Sequence, residues 1–336
     1  MICFNICLYY RNGWVPLQDV MPELKTDLVM RNINATFKRR KFEYVSDALI
    51  TAKKKWDFDY ELTKEECGSF DMQFLNEYNL ENDETAAYVY AVGLQYIICT
   101  TNYYINNVKK AKYYVPFNQV MNIHRINDVI YDLAISKRMG KIAAELLQHD
   151  TVRLYQTALF SKDHYGLNLQ TEWHRDLNMS PINTGAGGSV TFWCPVGRDL
   201  DRLRGDSMLR FLEGSHRDIS QKIWYKGLDE VSTRYEGYSQ PRALRVGDCT
   251  AHHGWVLHYA APQNEESEHK QRLAIGFTYV AGDSTVLNDL YNRYDPHRRA
   301  HYGDEDEYSY RDWISDLNEG DVIDHPLLPL VYDANA

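Results

Sequence analysis

The feature that most constrains the fold is a change in hydrophobic periodicity near residue 150. Beyond that point, short runs alternate apolar and polar residues, and turn pairs such as Gly214-Ser215 and Gly247-Asp248 separate them. This alternation is typical of strands with one buried face. Strands are predicted over 152–160, 169–176, 189–195, 208–212, 243–246, 255–260 and 273–280. Many short strands after a helical section predict a β-sandwich or barrel braced by helices.

The chain before residue 150 shows helical patterns instead. Apolar residues recur at intervals of three and four over 126–133 and 142–147, and the segment 85–107, rich in Ala and Tyr, is predicted to be a buried helix. The apolar residues 1–10 lack a basic flank, so they are predicted to form a strand or a packed terminus rather than a signal peptide.

Composition excludes several classes of protein. The net charge of −10 disfavours binding to nucleic acid, because phosphates are repelled. No apolar run approaches the ~18 residues of a membrane span. The six cysteines form no C-x-x-C pair, which is typical of reduced thiols in a cytoplasmic protein. The sequence makes no prediction about the oligomeric state.

The tripeptide His-Arg-Asp occurs twice, at 174–176 and 216–218. A protein-kinase catalytic loop would need Asn five positions after the Asp, where the first copy has Pro181, and no D-F-G follows. With 12 histidines, about one His-x-Asp is expected by chance, so at least one copy is predicted to be structural.

The first copy also fits the 2-His-1-carboxylate set of non-haem iron enzymes. On a strand, His174 and Asp176 point to the same face while Arg175 points to the other. The second histidine must then come from a distant segment, and A-H-H-G-W-V-L-H-Y-A-A-P (251–262) offers three candidates. The candidates are His252, His253 and His258. Strand parity places the last two on opposite faces and leaves the choice open.

Several segments occur in the order found in a known family. They are V-R-L-Y-Q-T-A-L-F-S-K (152–162), T-E-W-H-R-D-L (171–177), F-L-E-G-S-H-R (211–217), G-D-C-T-A-H-H-G-W-V-L-H-Y-A-A-P-Q (247–263), Q-R-L-A-I-G-F-T-Y-V (271–280) and D-H-P-L-L-P-L-V-Y (324–332). Over about 125–332 the chain resembles the phytanoyl-CoA dioxygenase group of iron(II)/2-oxoglutarate oxygenases.

That resemblance implies an α+β fold, in which N-terminal helices brace a double-stranded β-helix, a jelly-roll of the cupin type. The implied parts of this single domain are a mainly helical portion (1–150), the catalytic core (151–285) and an acidic C-terminal extension (286–336), of which 303–321 is expected at the surface.

The resemblance also implies the site. His174, Asp176 and His258 would hold Fe(II) and be catalytic, and Arg272 would bind the distal carboxylate of 2-oxoglutarate, with O2 as second cosubstrate. Further cofactor-binding candidates are Gln156, Trp193, Lys162 and Tyr155. Relatives carry Ser or Thr where this chain has Ala260, so Tyr155 or Thr278 would have to substitute, or 2-oxoglutarate binds more weakly. His216 would belong to a structural turn.

The implied reaction is oxidation of a small molecule, as in specialised metabolism, by abstraction of hydrogen from a C–H bond with release of succinate and CO2. Halogenating relatives lack the carboxylate, so Asp176 favours hydroxylation, desaturation or oxidative ring closure. Candidate substrate-binding residues are Arg198, Arg204 and Arg210, whose alternative is a solvated charged loop. Two functions remain as alternatives: kainoid-type ring formation on a carboxylate-bearing amino-acid derivative, and a non-catalytic binding protein.

Overall fold

The computed structural model describes residues 2–21, 118–125, 127–163, 173–218, 237–261, 271–287 and 316–336, with 171, 235, 267, 269 and 313. The helices are α1 (Ile2–Asn12), α2 (Asp128–Ala134) and α3 (Lys137–Leu147). The strands are β1 (Trp14–Leu17), β2 (Asn118–Met121), β3 (Thr151–Asp163), β4 (Ile182–Asn183), β5 (Ser189–Pro195), β6 (Leu200–Asp201), β7 (Leu209–Phe211), β8 (Ala243–Leu244), β9 (Cys249–His253), β10 (His258–Ala260), β11 (Gln271–Ala281), β12 (Thr285–Val286) and β13 (Leu330–Asp333).

Contacts divide the chain into two compact units, residues 1–32 with 115–336 and residues 33–114. The second unit, with the predicted helix over 85–107, lies outside the described residues. The domain limits at 150 and 286 therefore stay predictions. Within the described segments, no helix is long and apolar enough to cross a membrane.

A seven-stranded antiparallel main sheet runs in the order β1-β9-β5-β11-β3-β13, and β2 also pairs with β3. Its two long strands pair from Gln271 opposite Asp163 to Ala281 opposite Val152, with a register shift at Tyr155. A bulge of this kind bends the strand and re-aims its side chains.

The second layer consists of short strand pairs, chiefly β7 with β10. We call the face of the main sheet toward this pair the inner face. Trp14 of β1 stacks on Phe211 of β7 with ring centroids 4.7 Å apart, across the space between the layers. Apolar side chains from both layers form this core: Trp14, Trp193, Leu200, Met208, Leu209, Phe211, Leu244, Val256, Ala260 and Ala274.

Helix α3 covers the opposite, outer face of the main sheet. Its buried residues recur at helical spacing and form one apolar stripe: Met139, Gly140, Ala143, Ala144, Leu146 and Leu147. A Cβ on Gly140 would lie 2.8 Å from Cγ1 of Val331, so glycine allows the helix to approach β13 closely. Asn127 caps the N-terminus of helix α2, because its side chain accepts a hydrogen bond of 3.1 Å from the Ile130 amide.

Two predictions at the chain ends need correction. Residues 2–12 form a helix rather than a strand, and this helix packs on the core through the buried Tyr9. The extension over 303–321 is not all surface, because Trp313 is fully buried with Ile323 and Leu328 against Tyr155. Because the neighbouring residues are acidic, the composition of this segment did not indicate that some of its residues belong to the core.

Candidate metal centre

Three side chains from two segments meet in one place: His174 and Asp176 come from the segment that follows residue 172, and His258 comes from β10. His174 Nε2 lies 3.6 Å, and His258 Nε2 3.5 Å, from the same Asp176 oxygen, Oδ1. One donor atom from each residue lies within 4.8 Å of the others. Among the described residues this is the one group of three with such spacing. Two imidazoles and a carboxylate suit a divalent transition metal.

Backbone hydrogen bonds hold the two histidine segments together. The amides of His174 and His258 each donate to the other residue's carbonyl at 3.0 Å. The Leu177 amide donates to the Gly254 carbonyl at 3.1 Å. A Cβ on Gly254 would lie 2.6 Å from Cγ of Leu177, so only glycine lets this turn approach the segment that carries Asp176.

The protonation of His258 prepares it to bind a cation. Burial, opposed by the Asp176 charge, lowers its pKa to about 4, so the ring is neutral at pH 7. Nδ1 donates to the Val256 carbonyl at 3.1 Å, which leaves the lone pair on Nε2 facing the carboxylate. Burial opposes ionisation of Asp176, but the neighbouring His258, His252 and His174 hold its pKa below the usual range. Two electron-rich atoms therefore face each other, an arrangement that a bound cation would stabilise.

A fourth imidazole, His252, lies beside the three. Its Nε2 is 3.4 Å from Asp176 Oδ2, and its ring centroid is 4.7 Å from that of His258. Sequence reasoning gave this residue no role beyond a hydrogen-bonded histidine near a turn. The position of His252 on β9, opposite Thr191 of β5, would have indicated that it lies near Asp176, but the sequence did not predict strand β9.

The adjacent His253 points to the outer face. Its ring lies 5.3 Å from that of His216, and its Nδ1 accepts a hydrogen bond of 3.1 Å from the Trp255 amide. His216 itself lies in the 3₁₀ turn Ser215–Arg217, away from the candidate metal centre. The second His-Arg-Asp copy is thus not brought to Asp176.

Arg272 is 2% exposed on the inner face, and its guanidinium lies 5.1 Å from the centre of the Trp193 ring. Its Nε has no hydrogen-bond partner, and no carboxylate forms an ion pair with it, among the described residues. Burial and the charge of Arg198 lower its pKa to about 9, while Asp206 opposes the shift. This is a buried cation that still needs a counter-charge.

Lys162 lies directly opposite Arg272 in the strand register. Its Nζ donates to the carbonyl oxygens of Ala260 and Ala261 at 2.9 and 2.6 Å. Burial and the neighbouring guanidinium lower its pKa to about 6. The lysine therefore connects β3 to the end of β10 by hydrogen bonds at Ala260, where the resemblance led us to expect Ser or Thr.

The other cofactor candidates on β3 differ in their surroundings. Gln156 lies opposite Thr278, and its buried Oε1 has no hydrogen-bond partner within the described part of the chain. Thr191 donates to Asp176 Oδ2 at 3.3 Å and lies 3.0 Å from the Thr278 hydroxyl. Tyr155 packs edge-on against Trp313, with ring centroids 6.4 Å apart.

The three arginines predicted to bind substrate do not converge. Arg198 forms an ion pair of 2.8 Å with Asp206, and Arg204 is exposed. Arg210 lies against the Tyr238 and Tyr259 rings and donates to the Tyr259 hydroxyl. In register it pairs with Tyr259, so it points away from the face that carries His258. This placement does not fit a substrate-binding role for Arg210.

Comparison with solved structures shows which fold the chain shares. The non-haem α-ketoglutarate-dependent carbocyclase SnoK from nogalamycin biosynthesis aligns with a TM-score of 0.55 and 18% identity, over 97% of this chain and 95% of that one. The epimerase SnoN, in complex with Fe3+, α-ketoglutarate and nogalamycin RO, aligns with a TM-score of 0.53 and 16% identity, over 98% of both chains. This likeness shows the cupin-like fold of 2-oxoglutarate oxygenases.

The phytanoyl-CoA dioxygenase (PhyH) family model matches residues 109–269, a range that includes all three candidate metal ligands. Over this range, which is a little under half of the chain, the sequence is similar to the phytanoyl-CoA dioxygenases. No curated protein matches it.

Proposed function

We propose that His174, Asp176 and His258 bind Fe(II) and that the chain oxidises a C–H bond of a small organic molecule. The observation that carries this proposal is the convergence of the three donors, one atom of each lying within 4.8 Å of the others, with Nε2 of His258 3.5 Å from Asp176 Oδ1. A cation between these donors would remove their repulsion. The proposal includes the predicted double-stranded β-helix, which the main sheet facing β7 and β10 supports.

Arg272 is proposed to bind the distal carboxylate of 2-oxoglutarate. A buried guanidinium without a counter-ion is costly, and a carboxylate ligand would satisfy it through two parallel hydrogen bonds. The Trp193 ring, whose centre lies 5.1 Å from the guanidinium carbon, adds a cation–π contact. When bound, iron, 2-oxoglutarate and O2 would supply the oxidising equivalent, with 2-oxoglutarate converted to succinate and CO2.

The carboxylate and the structural neighbours support the proposed type of oxidation. Asp176 occupies the ligand position that halogenating relatives leave open, which favours hydroxylation, desaturation or oxidative ring closure. The names of SnoK, a carbocyclase, and SnoN, an epimerase, support a specialised metabolite as substrate. A carboxylate-bearing, kainoid-type substrate gains no support, because the candidate arginines pair with residues of the chain or are exposed.

The test is the weak visible charge-transfer band of an Fe(II)–2-oxoglutarate chelate, recorded without oxygen. Wild type should show the band, and His258→Ala should not. The matched control is His253→Ala, a buried histidine on the neighbouring strand that should keep the band. Absence of the band in wild type, or its persistence in His258→Ala, would contradict the proposal. Succinate release with a panel of metabolites would then identify the substrate.

A further inference from the structure

The two oxygens of the Asp176 carboxylate have different surroundings. Oδ1 faces the imidazoles of His174 and His258. Oδ2 faces Thr191 and His252, at 3.3 and 3.4 Å. The candidate ligand group uses one oxygen only, so the other is available for binding by the protein.

His252 is rigidly held in this position. It is 1% exposed and lies on β9 between Trp14 of β1 and Thr191 of β5. The Phe211 ring packs on it from the opposite layer, with centroids 5.4 Å apart. Its Nδ1 has no hydrogen-bond partner among the described residues, so Asp176 Oδ2 is the contact that gives the ring a polar role.

We propose, on the basis of the proposed function, that His252 is a positioning residue for the metal-binding carboxylate. Its Nε2 and the Thr191 hydroxyl together hold Oδ2, so that Asp176 presents Oδ1 alone to the metal. Thr278 supports this arrangement, because Thr191 donates its one hydroxyl proton to Asp176 and must accept from Thr278. Hydrogen-bond partners of ligating carboxylates commonly change metal affinity or activity about 10- to 100-fold.

Substituting His252 by glutamine or by asparagine distinguishes a hydrogen-bonding role of this residue from a role in packing. The amide nitrogen of His252→Gln reaches the place of Nε2 and can still donate to Oδ2. The amide of His252→Asn reaches only the place of Nδ1 and cannot. The affinity of the apoprotein for Mn(II) can be measured from the EPR signal of free Mn(II). We expect this affinity to fall about 10-fold or more in His252→Asn. His252→Gln should stay within about threefold of wild type.

The same strand provides control variants, and the neighbouring β5 provides a second test. His253→Asn and His253→Gln change a buried histidine that faces away from Asp176, and both should bind Mn(II) like wild type. Thr191→Val removes the second donor to Oδ2 and should also weaken binding. Melting temperatures of the apoproteins would show how far each variant is destabilised, whatever its effect on metal binding.

The outcomes separate the two proposals. If wild type binds no Mn(II), the proposed metal site is wrong. If wild type binds and both His252 variants and Thr191→Val bind equally well, the positioning role is wrong while the metal site stands. If His252→Asn and His252→Gln are equally weak, His252 acts through its ring and not through Oδ2, which also overturns the inference.

Discussion

Replacing Arg272 by methionine should stabilise the metal-free protein and remove its response to 2-oxoglutarate. The reason is that Arg272 is a buried charge without a counter-ion among the described residues. Its pKa falls from 12.5 to about 9, which at about 1.36 kcal/mol per unit is about 5 kcal/mol against the charged form. Because the folded pKa is the lower one, this cost applies in full at pH 7.

Methionine fills much of the same volume but loses the contact with Trp193, which is worth about 1–2 kcal/mol. We therefore expect the free energy of unfolding to rise by about 1–3 kcal/mol, taking the first figure as an upper bound. Urea unfolding at pH 7.5 with a chelator measures this change. The exposed Arg204→Met is the control and should lie within about 0.5 kcal/mol of wild type.

The same titration with Mn(II) and 2-oxoglutarate tests the ligand. The cosubstrate should raise the unfolding midpoint of wild type and of Arg204→Met but not that of Arg272→Met. Two results would refute the reasoning. One is an Arg272→Met apoprotein less stable than wild type by 1 kcal/mol or more, which would show that the guanidinium is already paired. The other is an unchanged response to 2-oxoglutarate.

Three further predictions concern stability. Burial, and then the charge of Arg125, lowers the pKa of His124 to about 3 in the folded protein, compared with 6.5 in the unfolded chain. The contribution of His124 to the free energy of unfolding is therefore complete above pH 6.5 and is lost as the pH falls toward 3. Between pH 7 and pH 5, the free energy of unfolding measured with urea should fall by about 2 kcal/mol less in His124→Gln than in wild type. The same pH dependence in both proteins would contradict this. Trp313→Ala should cost about 3–5 kcal/mol in the same assay, whereas a loss under 1 kcal/mol would mean that the residue is not core. Gly140→Ala should lower the melting temperature despite alanine's better helix propensity, because its Cβ meets Val331; a rise would show that β13 can move away.

The pattern of apolar residues predicted the central strands well. The predicted strand over 189–195 coincides with β5, and 273–280 lies within β11 (Gln271–Ala281). Both strands are rich in β-branched and aromatic residues and end at turns. The identity of the metal ligands, however, depended on the family resemblance, because parity alone could not choose among His252, His253 and His258.

The role of His252 was missed for a physical reason. All five residues of β9 (Cys249–His253) are buried, so its polar residues do not mark a face that is exposed to solvent. The prediction therefore began the strand at Trp255, in a segment where the structure has a turn before β10 (His258–Ala260). A strand buried on both faces and containing two histidines cannot be distinguished from a polar turn by composition.

The flanking strands of the main sheet come from distant parts of the chain, since β1 covers β9 and β13 covers part of β3. During ribosomal synthesis, β3 emerges long before β13, and the edge of residues 151–153 that β13 covers stays available for pairing with other chains until then. Pairing of this part of β3 must therefore wait for residues 330–333, and such a non-local contact slows folding. In a cell-free translation system, yield in the absence of chaperones should fall steeply as the concentration of nascent chains rises.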